Sequence, residues 1–441
     1  MNRSIEHQLL FWKNRPQRKP LIIRGLRQVG KTYSIEAFGQ AHFKNTVTFD
    51  FEKERGCRNI FSGDLGARAI LSQLEVYREQ RIIPGETLVF FDEIQACPRA
   101  LVALRYFHEE LPDLHIAAAG SLLEFAMEDV SFPVGRVEFL WMHPLSFGEF
   151  LSALGHNLLI EQRPTLDTTH PASEIIHQKF TEILRQYFIV GGMPEAVKAF
   201  AETNSFEEAG RVHRSLTAAF TQDFSKYGGR MDKDCLAHVF ERIPAHAGEQ
   251  IKYARLYPEK RIETIQRAMR VLEQAMIIRR VTASSAQGLP LGASASDKIF
   301  KCVFADIGLL RHLSGLPAKD VLSAGNLLDA FRGGLAEQFV GQELLSERNG
   351  SENGKLHYWA RANRNSSAEV DYLLVRDGRI FPVEVKSGSV GKLQSMRIFL
   401  EEHPNAPMGF VFHGGNAHDL PENRIRYLPL YTRMSEPNSQ E

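Results

Sequence analysis

The sequence has no uninterrupted apolar run that approaches the ~18 residues needed to cross a membrane as a helix. Its first stretch, Met1–Lys19, alternates polar and apolar side chains and lacks the continuous hydrophobic segment of a secretory signal. We therefore expect no membrane span and no secretory leader, and a cytoplasmic location.

Cysteine is scarce, and neither sign of charge is in excess. The four cysteines show no Cys-x-x-Cys spacing, which predicts reduced structural thiols. Lys and Arg together number 53, as do Asp and Glu, so any surface that binds nucleic acid must be local. At 441 residues the chain is too long for one ordinary core, and we expect two or three domains.

A glycine-containing loop follows the apolar run Leu21–Ile23 and precedes a helical pattern that starts at Tyr33. This order is typical of a P-loop, whose glycines turn backbone N–H groups towards phosphate oxygens. Lys31 is expected to contact the β- and γ-phosphates of ATP, and the Thr32 hydroxyl to ligate Mg²⁺. The alternative is a glycine turn that ends in Lys-Thr by chance. The predicted nucleotide-binding residues are Gly25, Leu26, Arg27, Gln28, Val29, Gly30, Lys31 and Thr32.

Two carboxylates close the next strongly apolar run. Thr87–Phe91 reads as a strand buried on both faces of a parallel sheet, and Asp92 and Glu93 follow it. Asp92 is expected to hold the hydration shell of Mg²⁺, and Glu93 to polarise the water that attacks the γ-phosphate. A pair of surface acids at a strand end is the alternative.

A further buried strand, His115–Gly120, leads to Ser121, which we expect to sense the γ-phosphate, to cap a helix that starts at Leu122, or to do both. Arg136 follows in a predicted loop. It is expected to stabilise transition-state charge in its own or a neighbouring subunit; a solvated loop arginine is the alternative.

Several segments then share a pattern with a known family. They are the loop with Arg27-Gln28, and Phe91–Gln95, Gly120-Ser121, Gly135-Arg136, Pro144–Phe150 and Gly191–Glu195. Together they resemble a family of AAA-type ATPases of bacteria and archaea that carry a C-terminal conserved domain of unknown function. The resemblance implies an α/β ATPase domain with a nuclease-like C-terminal domain.

The middle of the chain is predicted to be helical. Polar residues and prolines between Gly155 and Ser173 indicate a linker or a long surface loop. From Cys235 to about Leu313 the order of patterns resembles a winged helix, with a second helix at Ile262–Met276. The wing strands would be Ile277–Val281 and Phe300–Phe304, joined by a Ser/Gly-rich loop.

Arginines on and beyond the second helix form a candidate phosphate-binding surface. The alternative is a solvated helix in a domain that contacts proteins. The predicted DNA contacts are Arg267, Arg270, Arg279 and Arg280.

Near the C-terminus, Asp377-Gly378 indicates a two-residue hairpin turn. Counting outward from this turn pairs Asp371 with Glu384 and Glu369 with Lys386, and places Asp371, Glu384 and Lys386 on one face. Two opposed carboxylates repel each other, and a divalent cation such as Mg²⁺ would remove that cost. Lys386 would then orient the attacking water. A surface hairpin with a charge cluster is the alternative.

An Asp followed by Glu-x-Lys on adjacent strands looks like the restriction-endonuclease-like fold. That resemblance implies that Glu337, on an upstream helix, completes the metal ligands of Asp371 and Glu384. Val370 stands where some members of the fold have a proline. A degenerate fold of this kind that only binds is a separate alternative.

These expectations combine into an ATP-dependent, DNA-processing enzyme with ATP and Mg²⁺ as cofactors, DNA as partner, and a ring or dimer as assembly. The alternative is a regulatory or signalling ATPase whose C-terminal fold only binds DNA or a protein. A protein-remodelling ATPase would need an aromatic-glycine pore loop, which the sequence does not indicate. The expected divisions are an AAA-type P-loop domain at 1–160, a helical and winged-helix-like domain at 161–320, a restriction-endonuclease-like domain at 321–431, and a disordered tail at 432–441.

Overall fold

A computed structural model describes residues 3–121, 123, 135–163, 166–224, 232–323, 334–347, 354–361, 368–386 and 393–433. The chain forms two compact units, one ending at His143 and the other beginning at Pro144. The helix predicted after Ser121 and most of the predicted tail, residues 434–441, lie outside the described residues. In the described part of the chain, no helix has both the length and the apolar character needed to cross a membrane.

A parallel sheet of five strands forms the centre of the first unit, in the spatial order β2-β3-β4-β1-β5. The strands are β1 (Leu21–Gly25), β2 (Asn45–Asp50), β3 (Thr87–Asp92), β4 (His115–Gly120) and β5 (Glu138–Met142). Its helices are α1 (Ile5–Asn14), α2 (Lys31–His42), α3 (Ala67–Arg78) and α4 (Pro98–Glu110). Every residue of β3 and β4 is buried, as the apolar runs predicted. The predicted α/β class with a parallel sheet is confirmed for this unit.

Aromatic packing fixes the position of β3 within the sheet. The ring of Phe91 lies 5.5 Å from that of Phe51 and 5.8 Å from that of Phe61, the latter edge to face. Phe107 of α4 also packs on this ring, 6.2 Å from Phe91. Because Phe91 directly precedes Asp92, this rigid core holds the carboxyl end of β3 in place.

The second unit contains the remaining helices and two sheets. Its helices are α5 (Phe147–Ala153), α6 (Asn157–Gln162), α7 (Glu174–Val190), α8 (Pro194–Thr203), α9 (Phe206–Asp223), α10 (Lys233–Arg242), α11 (Tyr253–Leu256), α12 (Ile262–Gln274), α13 (Ile307–Leu313), α14 (Ala318–Ser323), α15 (Gly334–Ser346) and α16 (Gln394–Glu402). Its strands are β6 (Ile278–Ser284), β7 (Ala295–Phe304), β8 (Leu356–Ala360), β9 (Glu369–Val370), β10 (Tyr372–Arg376), β11 (Arg379–Val385), β12 (Gly409–His413), β13 (His418–Leu420) and β14 (Ile425–Pro429).

The two predicted wing strands belong to a larger sheet. β6 pairs antiparallel with β7 on one side and parallel with β8 on the other, and the sheet order is β7-β6-β8-β9. Strands from the predicted middle and C-terminal domains therefore share one hydrogen-bonded sheet. The winged-helix assignment and the division at residue 320 stay predictions.

The C-terminal hairpin has the predicted register. Arg376 pairs with Arg379 and Leu374 with Phe381, in a sheet ordered β10-β11-β12-β14-β13. The turn residues Asp377 and Gly378 both have positive φ, as a two-residue hairpin turn of this kind requires.

One part of the hairpin count is wrong. Glu369 does not lie opposite Lys386; it pairs with Ala360 of β8, and the Lys386 amide donates to Phe412. The chain bends at Asp371, between β9 and β10, so that β9 leaves the hairpin and joins the other sheet.

Arg163 follows α6 in the segment that was predicted to be a linker, and its side chain is buried. Its guanidinium Nε donates to the Tyr431 carbonyl at 2.6 Å, and one terminal nitrogen lies 3.2 Å from the Glu343 carboxylate. Tyr431 is buried as well. The contacts connect α15 to the end of the described chain.

The Gly191-Gly192 pair joins α7 to α8 through very close backbone contacts. The Leu145 amide donates to the Gly192 carbonyl at 2.7 Å, and a Cβ on Gly192 would lie 2.1 Å from the Leu145 carbonyl oxygen. The buried Asp306 carboxylate accepts from the Gly192 amide at 2.5 Å and also caps α13. Gly191 has φ +71° and no room for a side chain against Asp306. Both glycines are therefore structural residues.

We predict that Gly192→Ala lowers the stability of the second unit by about 2–3 kcal/mol, because the added methyl group collides with backbone atoms that cannot rotate away. The measurement is the midpoint of urea unfolding. Gly292→Ala is the matched control, since its Cβ would meet no described heavy atom within 4 Å. Equal midpoints for the two variants would contradict the role given to Gly192.

Candidate functional site

The predicted phosphate loop lies between β1 and α2, and two of its residues have positive φ: Gln28 (+64°) and Gly30 (+94°). Lys31 is buried, and its Nζ donates to the carbonyls of Gly25 and Leu26 at 3.0 and 2.9 Å. Burial lowers the pKa of Lys31 to about 8, against the opposing effect of Glu93 and Asp92. The ammonium is thus held inside the loop with neutral carbonyl groups as its hydrogen-bond partners.

Thr32 and Asp92 meet as the sequence predicted. The Thr32 hydroxyl donates to Asp92 Oδ2 at 2.8 Å, and the Glu93 amide donates to Asp92 Oδ1 at 3.0 Å. Burial raises the pKa of the Asp92 carboxyl above its ordinary value. The structure therefore places a hydroxyl oxygen and a carboxylate oxygen, both hard ligands, side by side at the end of the loop.

Glu93 adopts a left-handed backbone conformation, with φ +48°, directly after β3. The side-chain amide of Gln95 donates to Glu93 Oε2. The Gln95 amide oxygen packs against Gly120, where a Cβ would lie only 2.4 Å away. Gln95 therefore connects the candidate general base to the end of β4, and sequence reasoning gave this residue no role.

Ser121 and Arg136 lie at opposite edges of the sheet. Ser121 follows β4, whose last residue, Gly120, pairs with Arg24 beside the loop. Arg136 precedes β5, whose first residue pairs with the first residue of β1. A five-residue strand spans ~13 Å between its end residues, so Arg136 lies well away from the phosphate loop of its own chain. Its guanidinium binds Glu109 at 2.9 Å and is 49% exposed.

The residues of this edge suit a magnesium–nucleotide complex. The buried Lys31 ammonium donates to two carbonyl groups, and the Thr32–Asp92 pair offers adjacent oxygen ligands. Arg3, which sequence reasoning missed, braces the loop by donating to the carbonyls of Val29 and His143 at 3.1 and 2.6 Å. These contacts tie the loop to the segment that follows β5.

The predicted C-terminal residues form a second cluster. The Val385 amide donates to Asp371 Oδ2 at 2.8 Å, and the Lys386 ammonium contacts Glu384 Oε1. Burial, together with the neighbouring Asp371 carboxylate, raises the pKa of Glu384 to about 8. Within the described residues, Glu384 Oε2 is buried without a hydrogen-bond partner.

Lys301 of β7 enters this cluster and was not foreseen. Its Nζ lies 2.8 Å from Glu337, 2.5 Å from Glu369 and 3.4 Å from Asp371. Glu337 therefore has an ammonium as its neighbour, where the sequence predicted a metal ion. Among the described residues, no group of three or more His, Cys, Asp or Glu side chains is arranged to hold a metal.

The four predicted DNA-contact arginines differ in their surroundings. Arg267 and Arg270 are exposed on α12. Arg280 is engaged within the fold: it lies 3.1 Å from Glu273 and its guanidinium stacks over the Phe300 ring at 5.0 Å. Arg279 is half-buried in β6 and has a partner of its own. The first two are thus the better placed to contact a phosphate backbone.

Comparison with known proteins identifies three regions. Residues 17–151 match the model of an AAA domain, and residues 181–320 and 332–432 match two domains of unknown function, DUF8612 and DUF4143. No curated protein matches the chain. One similar solved structure is PCH-2 of C. elegans, 14% identical over 48% of this chain and 68% of that one, with a TM-score of 0.26. A TM-score this low carries no argument, so the AAA domain match and the geometry of the loop are what identify a P-loop ATPase domain.

We predict that Gln95→Ala lowers kcat for ATP hydrolysis by roughly 10- to 100-fold, because Glu93 loses the hydrogen bond that orients it. The KM for ATP should change little, since Gln95 is expected to act through Glu93 and not on the phosphates. Steady-state kinetics measure both. Gln73→Ala, an exposed glutamine on α3, is the matched control. A larger effect on KM than on kcat would contradict a positioning role.

Proposed function

We propose that this chain, whose residues 17–151 match an AAA domain, is an ATPase that acts on DNA. The observation that carries the ATPase part is the meeting of Lys31, Thr32, Asp92 and Glu93 at one edge of a parallel sheet. These residues lie on separate segments, and their proximity at this edge supports a role in phosphoryl transfer.

Each residue of this edge has a distinct role in the proposed reaction. Lys31 exchanges its loop carbonyls for β- and γ-phosphate oxygens, while Thr32 and Asp92 would hold Mg²⁺. Bound Mg²⁺ neutralises charge on the phosphates. Glu93 accepts a proton from the attacking water at its carboxylate, which Gln95 orients through Oε2. Ser121 lies at the same edge and is proposed to sense the γ-phosphate.

Arg136 is proposed to act on nucleotide bound by a neighbouring subunit. Its place at the far edge of the sheet argues against action in its own chain, and its half-exposed guanidinium is accessible from outside. The ion pair with Glu109 would fix the position of the Arg136 guanidinium. This role requires a ring or a dimer.

A magnesium-dependent nuclease in the C-terminal region is a second candidate function. This candidate is supported by the proximity of Asp371, Glu384 and Lys386, and by the buried Oε2 of Glu384, which has no described partner. Asp371 and Glu384 would hold Mg²⁺ there. Arg267 and Arg270, both exposed, are proposed to contact DNA phosphates.

The alternative, a regulatory ATPase whose C-terminal fold only binds DNA or a protein, is favoured by one observation. The Lys301 ammonium lies within ion-pair distance of Glu337, Glu369 and Asp371, so it already supplies positive charge to these carboxylates without a metal ion. ATP hydrolysis does not depend on which alternative holds.

We predict that Glu93→Gln lowers kcat for ATP by roughly 10²- to 10⁴-fold while ATP binding changes little, because the amide keeps the shape but cannot accept the proton. Lys31→Ala should instead weaken ATP binding by roughly 10- to 100-fold through the lost ammonium–phosphate bonds. Titration calorimetry with Mg-ATP and a phosphate-release assay separate the two effects. Hydrolysis by Glu93→Gln at the wild-type rate would remove Glu93 from the mechanism.

We predict that the wild-type chain cleaves at least one DNA form with Mg²⁺ or Mn²⁺, and that Asp371→Asn and Glu384→Gln each abolish cleavage but leave ATP hydrolysis intact. The reason is that each loses a carboxylate oxygen needed to hold the metal. The assay uses duplex, single-stranded and junction DNA, with Glu93→Gln as the control that retains the nuclease residues. Binding without cleavage of any form would support the regulatory alternative.

A further inference from the structure

We propose that Lys301 is the resident cation of the C-terminal carboxylate cluster, and that its ammonium occupies the place between Glu337 and Asp371 where a metal ion was expected. The carboxylate cluster is defined here as Glu337, Glu369, Asp371 and Glu384. This inference holds whether or not the chain cleaves DNA, because it concerns what neutralises these groups in the folded protein.

Geometry is the first argument. Lys301 Nζ lies 2.5 Å from a carboxylate oxygen of Glu369, 2.8 Å from one of Glu337 and 3.4 Å from one of Asp371. An ammonium group has three N–H donors, and here each can be directed at a different carboxylate. The Tyr358 ring lies 5.3 Å from Nζ and adds a cation–π contact.

Burial is the second argument. The Lys301 side chain is only 3% exposed, and a lysine is almost never so buried unless its charge is paired. The three ion pairs therefore make the Lys301 ammonium an integral part of the cluster.

The carboxylates are also held in place around the lysine by other groups. The Gln250 side-chain amide donates to Glu369 Oε2 at 2.9 Å, and the Val385 amide donates to Asp371 Oδ2 at 2.8 Å. Gly248, with φ +77°, brings its backbone so close that a Cβ there would lie 2.9 Å from Glu337 Oε2. The cluster is thus built to the dimensions of an ammonium with hydrogen-bonded oxygens.

A divalent cation cannot share this position. Mg²⁺ binds oxygen at 2.0–2.1 Å, so an ion ligated by Glu337 and Asp371 would lie within about 5 Å of Nζ, in a poorly solvated site where like charges repel strongly. Glu337 is therefore not a metal ligand while Lys301 is in place. Any metal site is restricted to the other side of the cluster, at Glu384 and Asp371.

The decisive experiment removes the ammonium while keeping an unbranched side chain of nearly the same length. We expect Lys301→Met in the full chain, without nucleotide, to unfold at a temperature roughly 5–10 °C below wild type in EDTA, because the carboxylates lose their counter-charge. Millimolar Mn²⁺ should restore most of this loss. Lys301→Arg keeps the positive charge, so this variant should unfold near the wild-type temperature even without Mn²⁺. Lys386→Met is the matched control, since Lys386 contacts Glu384 alone among these carboxylates and is more exposed.

Each outcome of this experiment either supports or overturns the proposal. A Mn²⁺-dependent gain in the wild-type Tm that Glu337→Gln abolishes would overturn the proposal, as would a Lys301→Met protein as stable as wild type in EDTA. A wild-type gain that survives Glu337→Gln supports it, since Glu337 is then not a ligand. If Lys301→Met does not fold, the double variant Lys301→Met with Glu337→Gln is measured in its place. Recovery of folded protein in this double variant supports the proposal, and failure to recover overturns it.

Discussion

Parallel strands end at a common edge, and this constraint builds the nucleotide site. β1, β3 and β4 are hydrogen-bonded in register, so their carboxyl ends carry the phosphate loop, Asp92 and Ser121 to one place. No residue of the site has to reach across the sheet. The same constraint sends Arg136, two residues before β5, to the opposite edge, and this is the basis for proposing that it acts on the nucleotide of a neighbouring subunit.

The nucleotide site could be predicted from sequence because its signals are local. A glycine loop that ends in Lys31-Thr32 and an apolar strand that ends in Asp92-Glu93 each lie within a few residues of chain. Once the strands are known to be parallel, their ends must meet. A role for Gln95 could not be predicted from local patterns, because it depends on contact with Gly120, which is distant in sequence but close in the fold. The hairpin register was likewise local, being fixed by Asp377-Gly378.

What the sequence could not supply is pairing between distant strands. β6 and β7 read as an isolated hairpin, yet β6 also pairs with β8, more than seventy residues later. For the same reason the count outward from the turn failed at Glu369, because β9 leaves the hairpin for β8 after the bend at Asp371. The division predicted at residue 320 falls between the β6-β7 and β8-β9 pairs of this sheet, and it stays a prediction. Lys301 could not be placed near Glu337 from its neighbours Phe300 and Cys302 alone.

Two buried lysines show how the two sites differ. Lys31 has neutral carbonyls as hydrogen-bond partners, and burial lowers its pKa against the opposing effect of Glu93 and Asp92. Lys301 already has three carboxylates, which raise its pKa in spite of burial. A buried charge without a counter-charge is costly, whereas a paired one is stable. Lys31 therefore has partners that a phosphate can displace, whereas the ammonium of Lys301 is held by carboxylates of its own chain.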